Sequence, residues 1–365
     1  MSAPNPIEAL PPPPSVSKET IHMSGILVDV YGLAELGPGP GPDGPPPARV
    51  SCLWLHHPRG QSKEDMADIA ARCVAAWNGN GNRDRGLIAA AFDQRNHGGR
   101  LVRGPANAAW RAGNPTHAQD MFGVVAGTVA DQVGLVDAVG GYLFRDRGRG
   151  EGGKAVIDQH LALGVSLGGH SVWQLMFADP RVRAGVVVIG CPDYMGLMSD
   201  RARLSKLPTY LAADDGASFI GSKDFPTALV EACKKSDPKA ICFGTDPVPS
   251  PSTPLPEAER QRLGLILGQR VLGKRFLLCS GGDDKLVPYK CAQPFVDWFR
   301  DATATWLSHG SVHVDDKVYP AVGHVFSADM VKDAVQFVLD AVSDADGPNS
   351  AHDTNSEGDQ AMSKI

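Results

Sequence analysis

Gly164-Val165-Ser166-Leu167-Gly168 is a G-x-S-x-G sequence at the seam between two kinds of pattern. On its amino side His160-Leu161-Ala162-Leu163 is short and apolar, as a buried strand is, and on its carboxyl side Gly169 to Phe177 reads as a helix closed by Asp179-Pro180. A chain that passes from strand to helix this abruptly turns where a Cβ would collide, and the two glycines permit it. The serine at the apex is then lifted above the sheet edge. Glycine-rich turns that hold a serine are common, so the reading needs support from the rest of the chain.

That support lies downstream. Arg275 to Ser280 reads as a buried strand and runs into Gly281-Gly282-Asp283-Asp284-Lys285-Leu286-Val287-Pro288, a polar turn with two carboxylates. A second strand over 312–319 leads into Ala321-Val322-Gly323-His324-Val325-Phe326. Serine, carboxylate and histidine therefore appear in that order, each just after a strand. A serine hydroxyl is a poor nucleophile at neutral pH and needs a base. Histidine titrates in the right range to take the proton and return it, and a carboxylate fixes the imidazole tautomer.

On these residues the chain resembles the serine hydrolases of the α/β-hydrolase superfamily, of the esterase and lipase kind, over residues 22–342. The matching features are the G-x-S-x-G elbow, a G-x-x-D-x-x-V-P-like acid turn and a G-H base turn. The resemblance implies a mostly parallel central sheet with helices on both faces, and a catalytic set of Ser166, Asp284 and His324. Asp284 has the family's spacing to Val287-Pro288; Asp283 stands one residue out of register, and Asp193, after a strand over 186–190, is a third candidate because some superfamily members place the acid there. An oxyanion hole is expected from the N–H of Leu167 and a donor in the loop after a strand over 50–55. Relatives often show His-Gly-x-Gly in that loop, where this chain has His56-His57-Pro58-Arg59; proline has no N–H, so Arg59 or a neighbour is the expected donor.

Other motifs read as structural. His56 and His57 have no accompanying cysteine or carboxylate cluster, so no metal is expected. Asp93-Gln94-Arg95-Asn96-His97-Gly98-Gly99 follows a strand over 86–92 and resembles the superfamily's D-x-R-x-H-G turn; it precedes the serine, which is the wrong order for the acid. His170 and Trp173 are expected in the core or on the helix surface.

The 365 residues, 42% hydrophobic with a net charge of −6, suffice for one large α/β domain plus an insertion. No basic stripe interleaved with aromatics is present, so no nucleic-acid partner is expected. Seven cysteines, an odd number, read as reduced core residues and an intracellular setting. No apolar run is read as a membrane helix and no signal peptide as present. Residues 1–20 and 344–365 are expected to be disordered, the core to occupy 21–193 and 275–343, and a helical cap over the active site to fill 194–274, where some eighty residues separate two core strands. Tyr194, Met195 and Met198 at its start are the expected substrate contacts.

The resemblance implies cleavage of a small ester, lactone or acyl thioester through an acyl-enzyme, with no cofactor. A ligand-binding or receptor-like relative of low turnover, and a lyase or isomerase on the same scaffold, remain as alternatives. The chain ends Ser363-Lys364-Ile365, similar to the peroxisomal Ser-Lys-Leu address, so a peroxisomal import receptor is an expected partner and the peroxisome the expected location, with the cytoplasm as the alternative.

Overall fold

In the strand Arg49–His56, Leu53 and Leu55 join one buried cluster while Cys52 and Trp54 join another. The same alternation recurs in Arg85–Phe92, Val156–Val165, Val182–Val188 and Arg275–Gly281. Period-two patterning with both faces apolar is what a sheet covered by helices on both sides requires. The computed structural model describes residues 10–37, 47–79, 85–145, 155–307 and 311–345.

Eight strands form one sheet: β1 (Lys18–Met23), β2 (Ile26–Tyr31), β3 (Arg49–His56), β4 (Arg85–Phe92), β5 (Val156–Val165), β6 (Val182–Val188), β7 (Arg275–Gly281) and β8 (His313–Tyr319). Their spatial order is β1-β2-β4-β3-β5-β6-β7-β8. The hairpin β1–β2 and the pair β2–β4 are antiparallel, and every pair from β4 to β8 is parallel. Parallel neighbours need crossovers. These are α1 (Ala67–Asn78), α2 (His117–Leu143), α3 (Leu167–Ala178) and α8 (Tyr289–Thr305), while α9 (Ala328–Asp344) follows β8. One face carries α1 and α9, packed on Leu53, Leu161, Val186 and Leu277; the other carries α2, α3 and α8. Trp173 of α3 meets Phe177, Phe276, Phe295 and Phe299, tying α3, β7 and α8 together. Its removal to alanine would cost about 3–5 kcal/mol.

Several boundaries differ from those read in the sequence. Strand β1 starts at Lys18, inside the stretch expected to be disordered, and residue 17 is already fixed by the Ser17 N–H donating to Glu35 at 2.6 Å. Ahead of α1 the chain makes a 3-10 turn, Lys63–Met66, under a capping box formed by Ser62 and Asp65. Helix α2 is long and apolar enough to cross a membrane on length and composition, contrary to the reading that no run is; here more than half of its most apolar window is buried. Of the tail expected from 344 onward, Asp344 ends α9 and residues 346–365 lie outside the described set.

The interval 194–274 holds four helices, α4 (Tyr194–Leu204), α5 (Thr227–Ser236), α6 (Pro238–Phe243) and α7 (Glu257–Val271). The last packs on α3 with Leu263, Leu267 and Val271 buried, and Arg270 donates to the Phe177 carbonyl at 2.8 Å. Phe219, Phe225, Leu229 and Cys233 from the preceding part share one buried cluster with α2 and α3. The apolar residues of the segment thus pack against the helices of the core.

Candidate active site

Ser166 sits between β5 and α3 with φ 55° and ψ −109°, a left-handed conformation that side chains rarely adopt. Its neighbours show why the turn needs glycine. A Cβ on Gly164 would lie 2.1 Å from the Gly168 carbonyl oxygen, and one on Gly168 would lie 2.1 Å from that of His56. The elbow is therefore wedged against the end of β3, and the Ser166 N–H is held by the Val188 carbonyl at 2.9 Å.

Strands β5, β7 and β8 run parallel, so the segments leaving their carboxyl ends emerge on one edge. There Ser166 Oγ donates to His324 Nε2 at 2.8 Å, and His324 Nδ1 donates to Asp284 Oδ2 at 2.7 Å. The other Asp284 oxygen accepts the backbone N–H groups of Leu286 at 2.8 Å and Val287 at 2.9 Å. The acid turn and the base loop are laced together by Gly282 N–H to Tyr319 O at 2.8 Å and Asp283 N–H to Val322 O at 2.9 Å. Asp284 is buried, its side chain 0% exposed, and that of His324 is 24% exposed. Ser166 is 9% exposed.

The two alternative acids are placed elsewhere. Asp283 is exposed and contributes its backbone to the turn. Asp193 caps α4, accepting from the Gly196 N–H at 2.8 Å.

Leu167 is the first residue of α3, where helical geometry leaves the N–H without an intrahelical acceptor. Leu167 and Arg59 line the same small cavity, together with His97, Asn107, His117 and Met121. Of these, Asn107, His117 and Met121 were not legible as site residues, since they come from the loop after β4 and from α2 and carry no motif, and His97 was read only as part of a structural turn. The expected substrate contacts Tyr194, Met195 and Met198 are buried in the cluster that also holds Leu167 and Met121, behind the residues that line this cavity. Tyr194 packs on Phe122 and Phe225 and donates its hydroxyl to the Ala118 carbonyl at 2.7 Å, so a phenol placed there holds α4 to α2. A larger cavity of about 480 Å³, lined by Arg275, His313 and Asp340, lies at the start of β7 and β8, the opposite end of the sheet from Ser166.

The flanking histidines act as struts. His57 Nδ1 donates to the Pro58 carbonyl at 2.8 Å while Nε2 accepts the Gln94 N–H at 3.0 Å, and His56 Nε2 bonds Gln132. Burial holds both rings down to about 4. His170 accepts the Cys191 N–H at 2.9 Å and is held near 3, again by burial. Asp93 receives the N–H groups of Lys63 at 2.9 Å and Gly99 at 2.8 Å, and Arg95 pairs with Asp131 of α2 at 2.8 Å. Among the described residues no cluster of His, Cys, Asp and Glu could hold a metal.

No protein-family model and no curated protein sequence matches the chain. Among solved structures it is similar to TT1662 from Thermus thermophilus, with TM-score 0.54 and 17% identity over 90% of this chain and 98% of that one. It is similar more loosely to a puromycin hydrolase, with TM-score 0.46 and 17% identity over 91% of this chain and 39% of that one. The same holds for acetyl xylan esterase 1 from Thermoanaerobacterium sp. JW/SL YS485, with TM-score 0.44 and 16% identity over 91% of this chain and 89% of that one. These likenesses concern the fold. An eight-stranded, mostly parallel sheet with helices on both faces, a strand-turn-helix elbow after β5 and the order Ser166, Asp284, His324 along the chain together give this protein the α/β-hydrolase fold.

Proposed function

We propose that the protein is a serine hydrolase that cleaves a carboxylic ester or acyl thioester through an acyl-enzyme. The observation that carries the reading is the continuous hydrogen-bonded series from Ser166 Oγ through His324 to Asp284. Ser166 Oγ attacks the carbonyl carbon as its proton passes to His324 Nε2, and the imidazolium so formed faces the Asp284 carboxylate. The carbonyl oxygen becomes an oxyanion, for which the Leu167 N–H at the start of α3 is the nearest backbone donor by position, with the Arg59 N–H as the second. His324 then gives the proton to the leaving group, the C–O or C–S bond breaks, and the acyl group stays on Ser166. Water, deprotonated by His324, attacks the acyl carbon and restores the hydroxyl.

The test is covalent labelling by a fluorophosphonate together with steady-state turnover of p-nitrophenyl esters and acyl-CoA thioesters. Ser166→Ala should abolish both labelling and turnover with the fold retained, since the elbow depends on its glycines. Labelling that persists in that variant refutes the assignment, and labelling of the wild type without multiple turnover refutes the hydrolase reading in favour of a binding protein.

The tail supports a second proposal, about location. Ser363-Lys364-Ile365 would be read by a peroxisomal import receptor, a setting in which acyl-CoA thioesters are available substrates.

A further inference from the structure

Two guanidinium groups approach the wall of the cavity beside Leu167, and among the described residues neither is paired with a carboxylate. Arg59 lines that cavity from the loop after β3, and its Nη1 is shielded from solvent without a hydrogen-bond partner among the described residues. Arg201 reaches the same wall from α4. Its Nη1 donates to Met121 Sδ at 3.1 Å and its Nη2 to the Leu286 carbonyl at 3.2 Å, while its Nε is shielded and unpartnered. Arg201 thus spans from a residue of the cavity wall to the turn that carries Asp284.

Among the described residues no carboxylate offers Arg59 or Arg201 a compensating charge. Asp200, next in sequence to Arg201, is taken by Arg203 at 2.7 Å and Lys290 at 2.9 Å. The charged forms of Arg59 and Arg201 are opposed by burial, and Arg201 is opposed further by Arg59 itself, which brings it down to about 10. His117 and His170, both within electrostatic reach of the two arginines, are held near 3 by burial and stay neutral. Each has an Nε2 that is shielded and unpartnered. Desolvated like charges that repel each other are costly to keep, and a ligand carrying the opposite charge offsets that cost. Planar guanidinium forks match the oxygens of a carboxylate or a phosphoryl group.

We propose that the substrate of Ser166 carries an anionic group, a carboxylate or a phosphoryl, which docks between Arg59 and Arg201 beside the Leu167 wall. This inference rests on the serine-hydrolase reading and names the class of substrate. Neutral alkyl esters would then be surrogates that leave the arginine pair unanswered.

Three ester pairs test it on the intact protein. p-Nitrophenyl hemiglutarate against p-nitrophenyl hexanoate places a carboxylate on the acyl side, and 4-acetoxybenzoate against its methyl ester places one on the leaving group. 4-Acetoxyphenyl phosphate against 4-acetoxyanisole places a phosphoryl there. In at least one pair the anion should raise kcat/KM about tenfold to a hundredfold, the range for charge-assisted hydrogen bonds. Arg201→Gln and Arg59→Gln should each cut that ratio about tenfold, with Arg201→Lys keeping part of it. A loss of folding or of serine positioning lowers both members of a pair and leaves the ratio alone. No anion preference in any pair, or a preference unchanged in both glutamine variants, overturns the inference while leaving labelled, active Ser166 and the hydrolase reading intact. If instead Ser166 is not labelled, the hydrolase reading fails, and calorimetry with glutarate and inorganic phosphate decides the site: binding abolished by Arg201→Gln supports it, and no binding refutes it.

Discussion

Replacing Asp284 by asparagine probes the site more sharply than deleting it, because the structure dictates how the amide must sit. In the native turn Oδ1 accepts two backbone N–H groups, from Leu286 and Val287, and Oδ2 accepts from His324 Nδ1. An asparagine keeps the first pair only by placing its oxygen there, since its NH₂ cannot accept. The NH₂ then faces His324 and donates to Nδ1, which drives the imidazole to the tautomer with its hydrogen on Nε2. That hydrogen points at Ser166 Oγ, 2.8 Å away, so the ring can no longer take the serine proton. The geometry survives and the base is lost. An equivalent change in a Ser-His-Asp enzyme lowers kcat about 10⁴-fold, or about 5 kcal/mol of barrier. Asp283→Asn, at an exposed position whose backbone serves the turn, should leave activity near wild type. Initial rates on one activated ester, with matched circular dichroism, settle the comparison: a loss under about tenfold in Asp284→Asn, or an equal loss in Asp283→Asn, refutes the reasoning.

Further expectations follow from other parts of the molecule. Burial holds His56, His57 and His160 down to about 4 and His117 and His170 to about 3, whereas unfolded imidazoles titrate near ~6.5. The unfolded chain therefore binds protons that the folded chain refuses, so this contribution to stability is full above about pH 6.5 and is lost as the pH falls toward 4. Asp193 and Asp237, raised by burial, act in the opposite sense but are fewer, so urea titrations at pH 7.5 and 5.5 should show a loss of a few kcal/mol at the lower pH; an unchanged midpoint contradicts the neutral rings. Gly168→Ala, whose Cβ would lie 2.1 Å from the His56 carbonyl, should lower Tm and activity together, whereas Gly123→Ala, in open space on α2, should raise stability by up to about 1 kcal/mol. Thermal melts that rank the two alike would show that the elbow is not wedged. A fluorescent protein carrying the last dozen residues of the chain should collect in peroxisomes, and a diffuse signal retires the address.

The side chains proposed to react were brought out by local constraints that write themselves into sequence. The glycines at 164 and 168 are forced by a carbonyl 2.1 Å from where each Cβ would stand, and Asp284 lies two and three residues before the N–H groups it must receive. Such signals act over a few residues. The substrate side has none: His117 and Arg201 reach the site from α2 and α4, and only the packing of those helices brings them within reach of Arg59. The same limit explains Tyr194, Met195 and Met198. An apolar run after a strand reads alike whether it faces a ligand or a helix, and here α2 and α5 supply the partners. Strand β1 was missed because Lys18, Glu19 and Thr20 are exposed on an edge, where polar residues are the rule.

The elbow and the insertion are mechanically linked, and this bears on how the site opens. Gly190, just after β6, stands so close to Gly169 of α3 that a Cβ would come within 2.7 Å of its backbone, and the chain then enters α4 through Cys191 and Asp193. Cys191 donates its N–H to His170 of α3, and Arg201 on α4 reaches the carbonyl of Leu286 beyond the acid turn. Helix α4 is thereby tied at one end to the helix that carries the nucleophile's neighbour and on its flank to the turn that carries the acid. A hinge through α4 would break a contact to each. Arg201 can move without one, since its bonds to Met121 and Leu286 go to a thioether and a single carbonyl, weak holds for a guanidinium that an incoming anion can claim.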